Sequence, residues 1–247
     1  SPHDVIISAI PATTRGEFGI VTTAGRVLRL HSVDLPAIPA VSGIPALSAG
    51  APLGAFVDLP SDELALALTT IDDHGGLALA TAKGIVKRVV PDALQNKDSW
   101  EVIRLDEGDR VVGAARLTEA DAEGAELVFV TSDAQLLRIP ASTVRPQGRA
   151  AGGMAGIKLG RGAEVVSFNV VVPDDSAVVL TVAGSGAALP GTDAGTVKIT
   201  PLSVDTQREA ARVGVDQRLG VDHRILIGEV AASALQQRSH QRGLAGE

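Results

Sequence analysis

One pattern recurs four times along the chain and limits the folds open to it. It reads GEFGIVTTAGRVLRLHSVDLP at 16–36, GGLALATAKGIVKRVVPDAL at 75–94 and AELVFVTSDAQLLRIPASTV at 125–144. A fourth copy starts SAVVLTVAGS at 176–185 and resumes GTVKITPLSV at 195–204 after an insertion at the turn. Each of the first three copies is an apolar run ending in Thr, a short turn, and a second run carrying a basic residue: Arg29, Lys87 with Arg88, and Arg138. In the fourth, the basic residue is Lys198. Gly25, Gly84, Ala134 and Gly195 mark the turns at a period of roughly 50–60 residues, and a sustained period of this length is the signature of a repeat architecture.

A second element lies between the hairpins, as EVIRLDEGDRVVGAARL at 101–117 and GIKLGRGAEVVSFNVV at 156–171, with a weaker counterpart LGAFVDLPSDELALAL at 53–68. Each reads as strand, acidic or glycine-rich turn, strand, so one repeat supplies about four strands, as in a propeller blade. A β-sandwich accounts for short strands but not for several elements recurring in fixed order. The composition agrees with strands: 45% of residues are hydrophobic and only 2% aromatic, so Val, Leu, Ile and Ala must fill the core. The expected fold is all-β, a propeller-like disc of about four to five four-stranded blades.

Zero cysteines exclude disulfides and thiolate metal sites. No apolar run approaches the ~20 residues that span a bilayer, and Ser1-Pro2-His3-Asp4 opens no secretory signal. The chain reads as a soluble cytoplasmic protein and, starting without Met, as a fragment of a longer one.

The densest chemistry is RPQGRAAGGMAGIKLGRG at 145–162. Here Arg145, Arg149, Lys158 and Arg161 accompany glycines that let the backbone approach a phosphate closely. This loop, together with the hairpin form T-x-x-G-x-[VL]-x-[RK], resembles the repeats in the C-terminal domain of the A subunits of DNA gyrase and topoisomerase IV. The resemblance runs from about Val5 to Val204 and is most specific at 145–159. It implies a β-pinwheel, whose blades exchange hairpins, with duplex DNA bent around a basic rim through its phosphate backbone. The positions matching the rim cations are Arg26, Arg29, Lys83, Lys87, Arg88, Arg138, Arg145, Arg149, Lys158 and Lys198, and Arg161 joins them from the same loop. The partners implied are duplex DNA, the ATPase B subunit and the rest of a dimeric A subunit, with the isolated domain monomeric.

Two departures narrow the expectation. Supercoiling gyrases carry a Q-R-R-G-G-K-G box early in this domain, whereas residues 37–54 read AIPAVSGIPALSAGAPLG without a cation. The nearest relative of the box is the degenerate QGRAAGG at 147–153. A topoisomerase IV type is therefore preferred. Residues 205–247 also leave the pattern, giving a division into a pinwheel at 1–204 and a diverged segment, by divergence or a shifted reading frame. One strand at 224–230 and a short helix at 231–238 are expected there.

The chain has no Tyr, the nucleophile by which type II topoisomerases cleave DNA, no phosphate-binding G-x-x-x-x-G-K-[ST] loop, and five scattered histidines. Catalytic residues, metal ligands and cofactors are expected to be absent, with cleavage and ATP hydrolysis lying elsewhere in the parent enzyme. The net charge of −7 requires the cations to gather on one rim while Asp62-Glu63, Asp106-Glu107, Asp121 with Glu123, and Asp174-Asp175 occupy other loops. The competing reading is a propeller that serves as a protein-interaction scaffold.

Overall fold

The computed structural model describes residues 7–36, 50–71, 76–90, 97–133 and 135–172, and beyond them the backbone of three strands. The first repeat forms β1 (Glu17–Thr22), β2 (Arg26–His31) and β3 (Ala65–Thr70). The second forms β4 (Leu77–Thr81), β5 (Ile85–Val89), β6 (Ser99–Glu101) and β7 (Val111–Arg116). One turn of helix, α1 (Glu119–Ala122), leads into β8 (Glu126–Thr131) and β9 (Leu136–Pro140). The third repeat continues with β10 (Pro146–Gln147), β11 (Met154–Ala155) and β12 (Val165–Val171). The remaining strands are β13 (Ala177–Ala183), β14 (Thr196–Pro201) and β15 (Arg224–Glu229).

The repeated Thr explains the hairpins. Thr22 Oγ1 donates to the Arg26 carbonyl at 3.3 Å, while Thr81 Oγ1 and Thr131 Oγ1 accept from the amides of Ile85 and Gln135 at 3.3 and 2.9 Å. In every case the hydroxyl ties the end of one strand to the backbone four residues on, closing the turn. Each hairpin then gains a third, antiparallel strand beside its first: β3 on β1, β7 on β4, β12 on β8 and β15 on β13. These third strands pack against one another in order, β3 on β7, β7 on β12 and β12 on β15.

The open edge of each of the first two hairpins is closed by the next repeat. β6 pairs with β2, and β10 and β11 both pair with β5, the first parallel and the second antiparallel. Each strand thereby covers main-chain groups that would otherwise form an exposed edge. The propeller-like, strand-exchanged β-pinwheel implied by the resemblance is the observed architecture.

Apolar side chains fill the spaces between sheets. Val21, Val27, Leu79, Val89, Ile103 and Val111 pack between the first and second, and Ala80, Val86, Leu127, Phe129, Val165 and Phe168 between the second and third. Phe129 and Phe168 meet edge-on with centroids 5.1 Å apart, a geometry worth about 0.5–1.5 kcal/mol beyond area burial.

Several expectations change. The strands expected to open 101–117 and 156–171 lie upstream, as β6 ending at Glu101 and β11 ending at Ala155, and the chain that follows each is not strand until β7 and β12. At 53–68 the first expected strand is a 3-10 turn, Leu53–Ala55, followed by extended chain. Its Leu53, Phe56, Val57 and Leu59 cover the outer face of the first sheet, because no earlier hairpin among the described residues exists to receive it. The helix α1 is an addition to the expected strands. It is too short to show a period, although Thr118 and Asp121 form a capping box around it. The strand expected at 224–230 is present as β15 and joins β13, so the fourth sheet draws a strand from beyond residue 204. The helix expected at 231–238, the segment 37–49 and the acidic pair at 174–175 lie outside the described residues.

Candidate nucleic-acid interface

In the first three hairpins the second strand carries its cation to a structural partner. Arg29 Nη1 donates to Glu17 at 2.8 Å and lies 5.6 Å above the Trp100 ring, while Arg138 Nε donates to Glu126 at 2.6 Å. Glu17 and Glu126 open β1 and β8 at equivalent positions. The corresponding position of the second hairpin is Gly76 itself, just before β4, where a Cβ would stand 2.1 Å from the Leu117 carbonyl oxygen. Without a carboxylate there, Arg88 turns to the next repeat, meeting Glu119 of α1 at 3.0 Å and the carbonyls of Ala141 and Val144 at 3.4 and 3.1 Å. Lys87 is 0% exposed. Arg26 and Glu63 form a two-bond pair at 2.7 and 2.6 Å, and this pairing lowers the pKa of Glu63 and raises that of Arg26. The recurring cation of the hairpin thus has a role within the fold.

Two of the acidic turns, at 62–63 and 106–109, lie at the hairpin turns rather than away from them, while Asp121 and Glu123 belong to α1 and its end. Besides Glu63 on Arg26, the Glu107 carbonyl accepts from Lys83 Nζ at 2.5 Å and Asp109 accepts from the Lys83 amide at 3.1 Å. The cause is topological. In each of the first three repeats the residue leading into the third strand is stitched to its own hairpin turn, through Thr23 N–H to Leu64 O, Ala82 N–H to Arg110 O and Ser132 N–H to Glu164 O, at 2.8–2.9 Å.

Exposed Arg15, Lys83, Arg110 and Arg116 lie on other segments, and a further group of cations lies on or next to the glycine-rich loop. The chain enters along β5 as β10, turns through 148–153, and leaves along β5 as β11. The turn is closed by Ala151 N–H to Gly148 O at 3.1 Å and by Gly153 N–H to Gln147 Oε1 at 3.1 Å. Gly153 has φ +86°, and a Cβ there would stand 2.6 Å from Ile85 and 2.8 Å from the Val86 carbonyl, so only glycine fits. Amides 156 and 157 then bond to the Gly84 carbonyl at 2.9 and 3.2 Å, which sets the following Lys158 beside the β4–β5 turn.

Arg145, Lys158 and Arg161 are exposed and Arg149 is half-buried. Lys97 and Arg149 line one cleft together with Trp100, Glu101, Gly148, Ala150 and Ala151. Arg104 is exposed and its amide bonds to the Ala151 carbonyl at 3.3 Å. Sequence reasoning missed Lys97 and Arg104. The available signal was their position flanking β6, which the topology delivers to the neighbouring blade. The side chain of Lys198 lies outside the described residues; its backbone sits in β14 opposite Thr181. Among the described residues no group of three or more His, Asp or Glu side chains is placed to share a metal ion, and no helix is long and apolar enough to cross a membrane.

Strand-exchanged blades around a glycine-rich cationic loop define a β-pinwheel domain. The model of the DNA gyrase C-terminal domain, a beta-propeller, matches residues 101–118 and 125–171. The A subunit of DNA gyrase from Staphylococcus aureus strain MRSA252 is 31% identical over 200 residues, covering 77% of this chain and 21% of that protein, so the chain spans about a fifth of its length. Among solved structures, the C-terminal domain of DNA topoisomerase IV aligns with TM-score 0.64 at 19% identity, covering 87% of this chain and 64% of the other. The C-terminal domain of E. coli ParC aligns with TM-score 0.57 at 16% identity, covering 88% and 83%. The chain belongs to the family of C-terminal domains of type IIA topoisomerase A subunits, the DNA gyrase A and topoisomerase IV A family.

Proposed function

We propose that this chain is a non-catalytic module that binds duplex DNA through its phosphates, bends it, and presents it to the cleavage core of a type IIA topoisomerase. The observation that carries this reading is the loop 145–162, pinned to β5 and carrying exposed Arg145, Lys158 and Arg161 and half-buried Arg149, with exposed Lys97 lining a cleft with Arg149 and exposed Arg104 bonded to the loop backbone. Loop amides and cations of this kind contact phosphate rather than bases, so bending with little sequence preference is expected. The strand cations Arg29, Lys87, Arg88 and Arg138 act on DNA only through the scaffold they hold. Its partners are an ATPase B subunit and the rest of a dimeric A subunit.

The cation-free stretch 37–54, where the supercoiling box belongs, supports a topoisomerase IV type. The test is a mobility shift on short duplex DNA over a salt series, followed by topology assays of the parent enzyme with and without this domain. Retarded DNA whose affinity falls steeply with salt is expected, as are relaxation and decatenation that weaken when the domain is removed. Absence of binding at low salt would leave the protein-interaction scaffold, which the acids beside Arg26 and Lys83 favour. Negative supercoiling by the intact enzyme would overturn the topoisomerase IV preference.

A further inference from the structure

Lys87 stands at a register that two other hairpins fill with leucine. Counted from the turn, its equivalents are Leu28 in β2 and Leu137 in β9. Both leucines pack among apolar neighbours, whereas Lys87 is fully buried with its ammonium beneath the glycine-rich loop. Lys87 Nζ donates to the carbonyls of Val102, Arg149 and Ala151 at 2.8, 2.8 and 2.7 Å. An ammonium has three hydrogens, and here each finds an acceptor. Val102 follows the exchanged strand β6, while the other two carbonyls belong to the loop, so one side chain joins three segments. The second hairpin is where a loop, rather than an exchanged strand alone, lies over this register.

We propose that Lys87 is a positioning residue for the glycine-rich loop: its ammonium clasps the carbonyls of Arg149 and Ala151 to that of Val102 and so fixes the shape of the loop that carries the exposed cations. Geometry makes the role specific to lysine. A guanidinium directs its donors within one plane and cannot converge on three carbonyls from a single atom. Leucine would take the Lys87 donor from all three oxygens and leave Ala151 only the longer bond from the Arg104 amide. Burial pushes the Lys87 pKa down to about 8, with no charged neighbour contributing. The charged groups on the segments packed around it are Arg149 and Arg104, with Lys97 and Glu101 lining one adjacent cavity and Asp106 and Asp109 another. The clasp therefore weakens when Lys87 loses its proton and one of its three donors.

The proposal deepens the DNA-binding reading and rests on it for one of its two readouts. The experiment compares the intact 247-residue chain with Lys87→Met and Lys87→Arg. Amide hydrogen exchange is measured across the described blades, and affinity for a short DNA duplex is measured at fixed salt. Exchange at the Ala151 and Gly153 amides should rise about tenfold or more in both variants, as expected from losing a charge-assisted bond. The amides of β1, β2 and β8 should keep their protection, and DNA affinity should drop several-fold. A Glu126→Gln control should lower stability without singling out the loop. Should Lys87→Met fail to fold, the unaltered chain decides: the loop amide signals should titrate near pH 8. Unchanged loop exchange in the variants, exchange raised equally in every blade, or no titration between pH 7 and 9.5 would each overturn the clasp. If the loop responds as expected but the unaltered chain binds no DNA at any salt, the clasp stands and the DNA-binding reading falls.

Discussion

Arg138 and Glu126 show how much of a repeat's charge pattern serves the fold. Their side chains are 6% and 13% exposed, so exchanging the carboxylate for an amide takes a charge-assisted partner from a buried guanidinium. Glu126→Gln is expected to cost about 3 kcal/mol in chemical denaturation. Glu17→Gln, where the carboxylate is 29% exposed, should cost roughly 1 kcal/mol or less. Lys87 adds a dependence on pH. Its folded pKa of about 8 lies below the ordinary 10.5, so between these values the unfolded chain holds more protons and stability rises with pH. The rise attributable to Lys87 should reach roughly 2 kcal/mol between pH 7 and 9.5, read as the difference between the unaltered chain and Lys87→Met. Glu63, lowered by Arg26, contributes stability that is present above its unfolded pKa and lost as the pH falls through its folded one.

At the level of elements, the hairpins were legible because their apolar runs, Thr and turn glycine repeat locally. The exchange was legible only by resemblance, since nothing in SWE at 99–101 names β2 as its partner. The partners of Arg29, Arg88 and Arg138 were hidden for the same reason: Glu17, Glu119 and Glu126 are chosen by register and packing, not by proximity in sequence. The expected rim therefore includes cations that the sheets bury, and omits Lys97 and Arg104, which reach the loop from the neighbouring repeat. Gly76 marks one such contact. Gly76→Ala drives a methyl into the Leu117 carbonyl and should cost about 2–4 kcal/mol, measured by denaturation. Trp100, the sole tryptophan, sits on the exchanged strand under Arg29. Its fluorescence should report release of β6 at lower denaturant than the loss of far-ultraviolet circular dichroism, because a three-residue edge strand holds less tightly than the hairpin it covers.

For the whole molecule, an acidic chain can hold DNA only where exposed cations outnumber the acids beside them. With roughly four to six cations gathered around the loop, log affinity against log salt should have a slope near −4 to −5. Replacing Arg145 and Lys158 together by Ala should reduce that slope by about 2, whereas Arg88→Met should leave it unchanged while lowering stability. The exchanged strands carry a further consequence, for synthesis. β2 ends at His31 and its cover begins at Ser99; β5 ends at Val89 and its last cover ends at Ala155. A hairpin leaving the ribosome therefore waits for nearly 70 more residues, about 4 to 14 seconds at roughly 5–20 residues per second. During that interval its bare edge is open to any neighbouring nascent chain. Crowded polysomes and slow codons between repeats should thus lower the yield of this domain more than that of a protein whose sheets close within their own repeat.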